Sequence, residues 1–276
     1  MRRSGQQLLI VYQTDHANLA QQFATHWGNE NFQKPVPFME LCLAIRTHDD
    51  GWMYNDELPL IDSSAGRPCG LLSFPTEKLL AIDRDTIEIA KRRDTYARLM
   101  ISMHRTGLWQ QRYGIEAGWD VSIIQRMKED LKPEVKEFLR TEEEWQKQIR
   151  DQNSGRKEFS DRYVWANYEL MQVWDKMSLY LCHLDEDNPK AGTIARVPRG
   201  YSGNDETNLN LIPHSPTKVE VDPWPFDEMP SSSSPLVFAV RGFKIADRAY
   251  ADSQELATEL ARAPQEVHRF ELSNLR

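Results

Sequence analysis

Helical apolar stripes in this chain are repeatedly interrupted by one ionisable residue, and that pattern limits what the chain can fold into. In the stretch DHANLAQQFATHW, His16 opens the face that carries Leu19, Ala20, Phe23 and Trp27, while His26 lies off it. Leu41, Ile45 and His48 stand at i, i+4 and i+7 of the next helical pattern. His104 shares a face with Ala97, Met100 and Ile101, and Asp175 sits among Val164, Tyr168, Met171, Ser178, Leu179 and Cys182. A single histidine on such a stripe is usually a satisfied core residue. An unpaired charge there is costly, so four stripes of this kind suit a fold in which they face one another around a shared cation.

The second of these residues carries the strongest local signal. In Thr47-His48-Asp49-Asp50-Gly51-Trp52 an imidazole is followed at once by two carboxylates, and first-row divalent metals accept that mixture of neutral nitrogen and anionic oxygen.

The rest of the chain falls into place around the four patterns. Residues 7–13, QLLIVYQ, read as a short buried strand, and Thr14 or Asp15 can cap the helix that follows. After Trp52 the Pro, Gly, Asp and Ser density of NDELPLIDSSAGRPCGLLSFP marks a long connection, well placed to wall a pocket. One helix is expected from about Thr76 to Met103. Residues 119–152 are helical and highly charged. Pro133 starts a fresh helix there, with Val135, Leu139 and Trp145 as a narrow apolar seam. This reads as a peripheral helical pair, a lid or an oligomer contact. From Asn188 the composition shifts to Gly, Pro, Asn and Ser, with strands in KVEVDPWPF and SSSSPLVFAVRGFKI, a helix in SQELATELARA and a terminal strand in VHRFEL. Ser231 to Ser234 is a low-complexity turn. The expected architecture is mainly α: a helical bundle over residues 1–187, with 119–155 as a charged insertion. Residues 188–276 form a small α+β appendage built on an antiparallel sheet and packed on the bundle.

Composition narrows the partners. A net charge of −8 disfavours a long nucleic acid. Cys42, Cys69 and Cys182 are odd in number, far apart and without CxxC spacing, which argues against a disulfide framework and a thiolate zinc site. Leu8-Leu9-Ile10-Val11 is too short for a signal-peptide core and no stretch is long enough for a membrane span. A cytoplasmic, soluble protein that avoids membranes is expected, and a homo-oligomer remains open.

The ordered set resembles the HD-domain superfamily of metal-dependent hydrolases, named for its His-Asp dyad. The leading histidine of that superfamily matches His16, the dyad matches His48 and Asp49, and the closing aspartate matches Asp175, with Ser178 three residues on. The resemblance covers roughly residues 14–183. A closer one spans nearly the whole chain: QTDHANLA, THDDGW, SMHRTGL and DPWPF are similar to a bacterial family described only as a domain of unknown function.

What the HD resemblance implies is one tightly bound divalent transition metal (Mn, Fe, Co, Ni or Zn) held by His16, His48, Asp49 and Asp175. His104 is a fifth ligand or a nearby acid, and a weakly bound second ion bridged by Asp49 stays open. His183, off the face of Asp175, is a poor further ligand. Asp50 is a candidate proton acceptor or a simple loop hydrogen-bonding group. Arg46, Arg105 and Lys176 are candidates for neutralising a phosphate, with a surface role favoured for Lys176. Trp52 is a stacking platform or core. The expected reaction is hydrolysis of a small phosphorylated molecule or nucleotide. An iron-dependent oxygenase on the same fold and a non-catalytic, metal-stabilised interaction module are the alternatives.

Overall fold

The computed structural model describes residues 2–4, 6–62, 64–70, 74–110, 112, 132–203, 205–227 and 235–274. Two short strands, β1 (Arg2–Ser4) and β2 (Gln7–Ile10), lead into helix α1 (Gln13–His26). Helix α2 (Phe38–Thr47) follows and runs through a 3-10 turn (Asp50–Trp52) into the short α3 (Met53–Glu57). A two-residue hairpin, β3 (Ile61–Asp62) with β4 (Arg67–Pro68), precedes α4 (Thr76–Ala90) and α5 (Thr95–Trp109). Then come α6 (Pro133–Gln152) and the long α7 (Asp161–His183). The C-terminal part holds β5 (Gly192–Pro198), β6 (Glu206–Ser215), β7 (Lys218–Asp222), β8 (Leu236–Ala246), α8 (Ser253–Arg262) and β9 (Gln265–Asn274).

The four helices whose apolar stripes carry an ionisable residue are the ones that pack together. Helix α1 lies against α2 and α7, α2 against α5 and α7, and α5 against α7. Leu19, Phe23, Leu41, Ile45, Ala97, Met100, Met171 and Trp174 fill the space between them and are fully buried. Each residue that burial removes from water contributes roughly 25 cal/mol per Å² of apolar surface, and this shared core holds the stripes face to face. Helix α4 covers the 3-10 turn and packs on α5, while α6 packs on the outer side of α5.

Several local expectations are corrected. The helix expected from Thr76 to Met103 is two helices. Asp94 interrupts it by capping α5, accepting from the backbone N–H groups of Tyr96 and Ala97. Neither Thr14 nor Asp15 caps α1. The distant Asp56 does so from α3, its carboxylate accepting from the N–H groups of Gln13 and Thr14 and from the Thr14 hydroxyl. The connection after Trp52 contains α3 and the β3–β4 hairpin. The helical segment expected before Pro133, over 119–131, and the Ser231–Ser234 turn lie outside the described residues. Of that charged stretch, α6 buries Val135, Phe138 and Leu139 on α5.

The sheet is mixed where an antiparallel one was expected. Its order is β1-β2-β8-β9-β7-β6-β5, and β7–β9 is a parallel pair among antiparallel neighbours. It also draws on both ends of the chain, because β2 pairs with β8. Past the end of β2, the side chain of Gln22 on α1 extends the pairing. Its amide donates to the Ala239 carbonyl and accepts from the Ala239 N–H, as a strand backbone would. Sheet residues Phe238, Phe270, Val219 and Leu211 join the same core as the bundle, so α1 is gripped from both sides. Among the described residues, no helix is long and apolar enough to cross a membrane.

Candidate metal centre

His16 projects from the first turn of α1, His48 from the end of α2, Asp49 from the residue after it, His104 from α5 and Asp175 from α7. All five are buried, with 0–5% of each residue exposed. The glycine of the HDDGW stretch has a physical reason. A Cβ on Gly51 would collide with the Thr86 hydroxyl and the Ile82 carbonyl, so only glycine lets the turn after Asp49 lie directly on α4.

The geometry is that of converging acceptors. His16 Nε2 lies 3.0 Å from Asp49 Oδ2 and 3.3 Å from Asp175 Oδ1. His48 Nε2 lies 3.4 Å and 3.5 Å from the same two oxygens. The outer nitrogens decide what the inner ones carry. His48 Nδ1 donates to the Ile45 carbonyl at 2.7 Å, which can only accept. Ser178 Oγ gives its proton to the Asp175 carbonyl, so at 2.6 Å it accepts from His16 Nδ1. In the neutral rings, both Nε2 lone pairs therefore point at carboxylate oxygens. His48 Nε2 is left without a well-directed hydrogen bond. Two lone pairs and two anionic oxygens facing one another in a buried space repel unless a proton or a metal ion sits among them.

The spacing fits such a cation. Metal–nitrogen and metal–oxygen bonds of about 2.1 Å place neighbouring donors roughly 3.0 Å apart in octahedral and 3.4 Å apart in tetrahedral geometry. The four cross distances here run from 3.0 to 3.5 Å. His104 stands on the far side of Asp175, its Nε2 3.8 Å from Oδ2, with its ring 4.9 Å from that of His48. The donors form two overlapping groups, His16–His48–Asp49 and His48–His104–Asp175, each able to hold an ion.

The protonation states describe the same imbalance. Burial opposes charge on His48, but the Asp49 and Asp175 carboxylates outweigh it and push its pKa up to about 9. Burial likewise opposes charge on Asp49 and Asp175, yet both are held well below the usual carboxylate range. For Asp49 the causes are His48, His16 and Arg105, and for Asp175 they are the three histidines. His104 is driven down to about 3 by burial and by the neighbouring His48, and is a neutral imidazole at physiological pH.

The remaining candidates are placed as follows. Arg105 is buried and faces carboxylates: Nη1 donates to Asp49 Oδ1 at 2.7 Å, and Nε and Nη2 donate to Asp83 Oδ1 at 2.6 and 2.5 Å. Asp50 points away from the donor cluster toward Arg93 at 3.3 Å and Arg46 at 4.0 Å, both partly exposed, and burial raises its pKa. Trp52 is buried edge-on against Phe74 in the core. Lys176 is buried on α7, where a surface position was favoured.

Two residues escaped the sequence reading. Asp83 lies among Leu79, Leu80, Ile82 and Ile87 on the buried face of α4, the same signal that marks the other four. Arg93 follows α4 in a run of basic residues that reads as surface.

The family model described as "Protein of unknown function (DUF3891)" matches residues 1–233. The chain belongs to the DUF3891 family. No curated protein and no solved structure matches it. In this DUF3891 chain the His/His/Asp groups loosely resemble the metal motif of HD-type proteins, and the family match itself carries no link to that superfamily.

Proposed function

We propose that this DUF3891 protein is a metal-dependent hydrolase of a small phosphorylated molecule, with one divalent transition metal held by His16, His48, Asp49 and Asp175 and by His104 as a fifth donor. One observation carries the reading: two histidine nitrogens with fixed tautomers face two carboxylate oxygens across four nitrogen–oxygen distances of 3.0 to 3.5 Å, within two donor groups that share His48 and are each able to hold an ion. When bound, such an ion lowers the pKa of a coordinated water from about 15.7 toward 7 and polarises a phosphoryl oxygen.

The chain's own residues would do the rest. Ser178 and the Ile45 carbonyl orient the two imidazoles, and Arg105 holds Asp49 with one oxygen turned to the histidines. Asp50 follows Asp49 in the chain but is directed to Arg46 and Arg93, so it suits holding those two guanidinium groups at the edge of the centre better than taking a proton within it. Arg46 and Arg93 flank it, and two guanidinium groups on one carboxylate leave positive charge for an anionic substrate. The neutral state of His104 suits a ligand better than a general acid.

The test is metal analysis of the purified protein together with phosphate release from a panel of nucleotides and phosphoesters. Stoichiometric metal and an activity lost in His48→Ala support the reading. Iron with an oxygen-dependent spectral change would instead favour oxygenase chemistry. A second reading is favoured by the enclosure of the five donors, none more than 5% exposed. On it the metal is structural, and Asp175→Ala lowers the melting temperature of a protein that turns over none of the panel.

A further inference from the structure

We infer that Arg105 occupies the seat of a second metal ion, so that the protein itself supplies the second cation and the centre is confined to one. This rests on the metal-centre reading above. The two overlapping donor groups offer places for two ions, but they share His48. Its Nε2 has one lone pair and serves one ion at a time. A second ion therefore depends on a carboxylate that turns its other oxygen outward. Asp175 Oδ2 faces the Nε2 of His104 at 3.8 Å, the fifth donor of the first ion on the reading above, which leaves the outward oxygen of Asp49, Oδ1.

That oxygen is taken. Asp49 directs Oδ2 to His16 and His48 and receives Arg105 Nη1 on Oδ1 at 2.7 Å. The guanidinium is held from behind by Asp83, which accepts from Nε and Nη2 and is itself fixed by Trp109 Nε1 at 2.5 Å on its other oxygen. Asp49, Arg105 and Asp83 are all buried, so the arrangement is not a mobile surface pair. It also lies on three separately anchored pieces of chain: the HDDGW turn, α4 with Asp83, and α5, whose consecutive turns carry Arg105 and Trp109.

Charge selects the same stoichiometry. Asp49, Asp83 and Asp175 are three buried carboxylates in this cluster and Arg105 is its one guanidinium, with the histidines neutral when they ligate. The remainder is two negative charges. One divalent ion neutralises them, whereas two ions would leave the same excess with opposite sign in a low-dielectric interior. Arg105 also draws charge from Asp49, which weakens that ligand's donation and makes a single ion more electrophilic.

The experiment is a metal count after loading with excess Mn(II) and removal of unbound ion, with manganese electron paramagnetic resonance on the same samples. The natural protein is expected to hold one ion per chain, with the signal of an isolated Mn(II). Arg105→Ala leaves Asp49 and Asp83 facing a vacated cation seat and is expected to take up a second ion, with exchange-coupled manganese. Arg105→Lys keeps a cation there and is expected to stay at one. Two ions per chain in the natural protein overturn the inference and leave the metal centre standing, whether or not Arg105→Ala folds. A folded Arg105→Ala that stays at one ion overturns it as well. No bound ion in the natural protein defeats the metal-centre reading itself.

Discussion

Two buried polar clusters lie in the same helical core and solve the same problem differently. Around Asn167, the side-chain amide donates to the Tyr96 hydroxyl at 2.6 Å and the Val36 carbonyl at 2.8 Å, and its oxygen accepts from Tyr201 at 2.6 Å. The Tyr201 hydroxyl also accepts from the Val36 N–H. Donors meet acceptors and the network closes on itself. Around His48 the count closes only with an added positive charge, a proton on the ring or a metal ion, because two carboxylate oxygens converge on its Nε2. Both clusters are buried and both draw on α7. The difference teaches that a polar residue on an apolar stripe marks a function only when its neighbours leave the same charge unmet. Asn167 is glue between α7, α5 and the loop before α2. His48 belongs to two donor groups that are each able to hold an ion.

The comparison can be tested most strongly with pH. Without metal, His48 has its folded pKa raised to about 9 from 6.5, so the stability it contributes is fully present below pH 6.5 and is lost as pH rises through 9. The metal-free protein should therefore lose on the order of 3 kcal/mol of stability between those values. The metal-loaded protein, whose His48 is already deprotonated, should not. Apparent metal affinity should rise over the same interval. Melting curves and metal titrations at a series of pH values, with and without chelator, read this directly, and a metal-free protein indifferent to pH would remove the distinction between the two clusters.

A smaller effect is expected at the closed network. Asn167→Ala leaves two tyrosine hydroxyls and a carbonyl short of partners and should cost about 2 kcal/mol in denaturant unfolding while leaving the metal count unchanged. A change in metal stoichiometry would mean that the two clusters are coupled. The smallest effect belongs to the support of His16. Ser178→Ala frees the imidazole to adopt the wrong tautomer and should weaken metal binding by about 10- to 100-fold with little change in the melting temperature of the metal-free protein. Calorimetric titration of the two proteins compares them.

The sequence by itself determined which faces turn inward. Helical periodicity is a local property, repeating at i+3 and i+4, so the stripes of α1, α2, α5 and α7 and the ionisable residue on each could be read from residue order alone. The same rule would have reached Asp83 on α4. The mainly α architecture with a β-rich C-terminal part followed from the change in period after Asn188. Tertiary structure alone decided the partners, because they are separated by distances in sequence that no local pattern encodes. Asp56 caps α1 from 43 residues away, and Arg241 on β8 grips Asp15 beside His16 from 226 residues away. Periodicity placed Arg105 one step from a metal-ligand candidate and suggested a phosphate. Packing of α4 onto the HDDGW turn instead brought Asp83 behind it and Asp49 before it, and two buried carboxylates bind a guanidinium more tightly than a passing anion can.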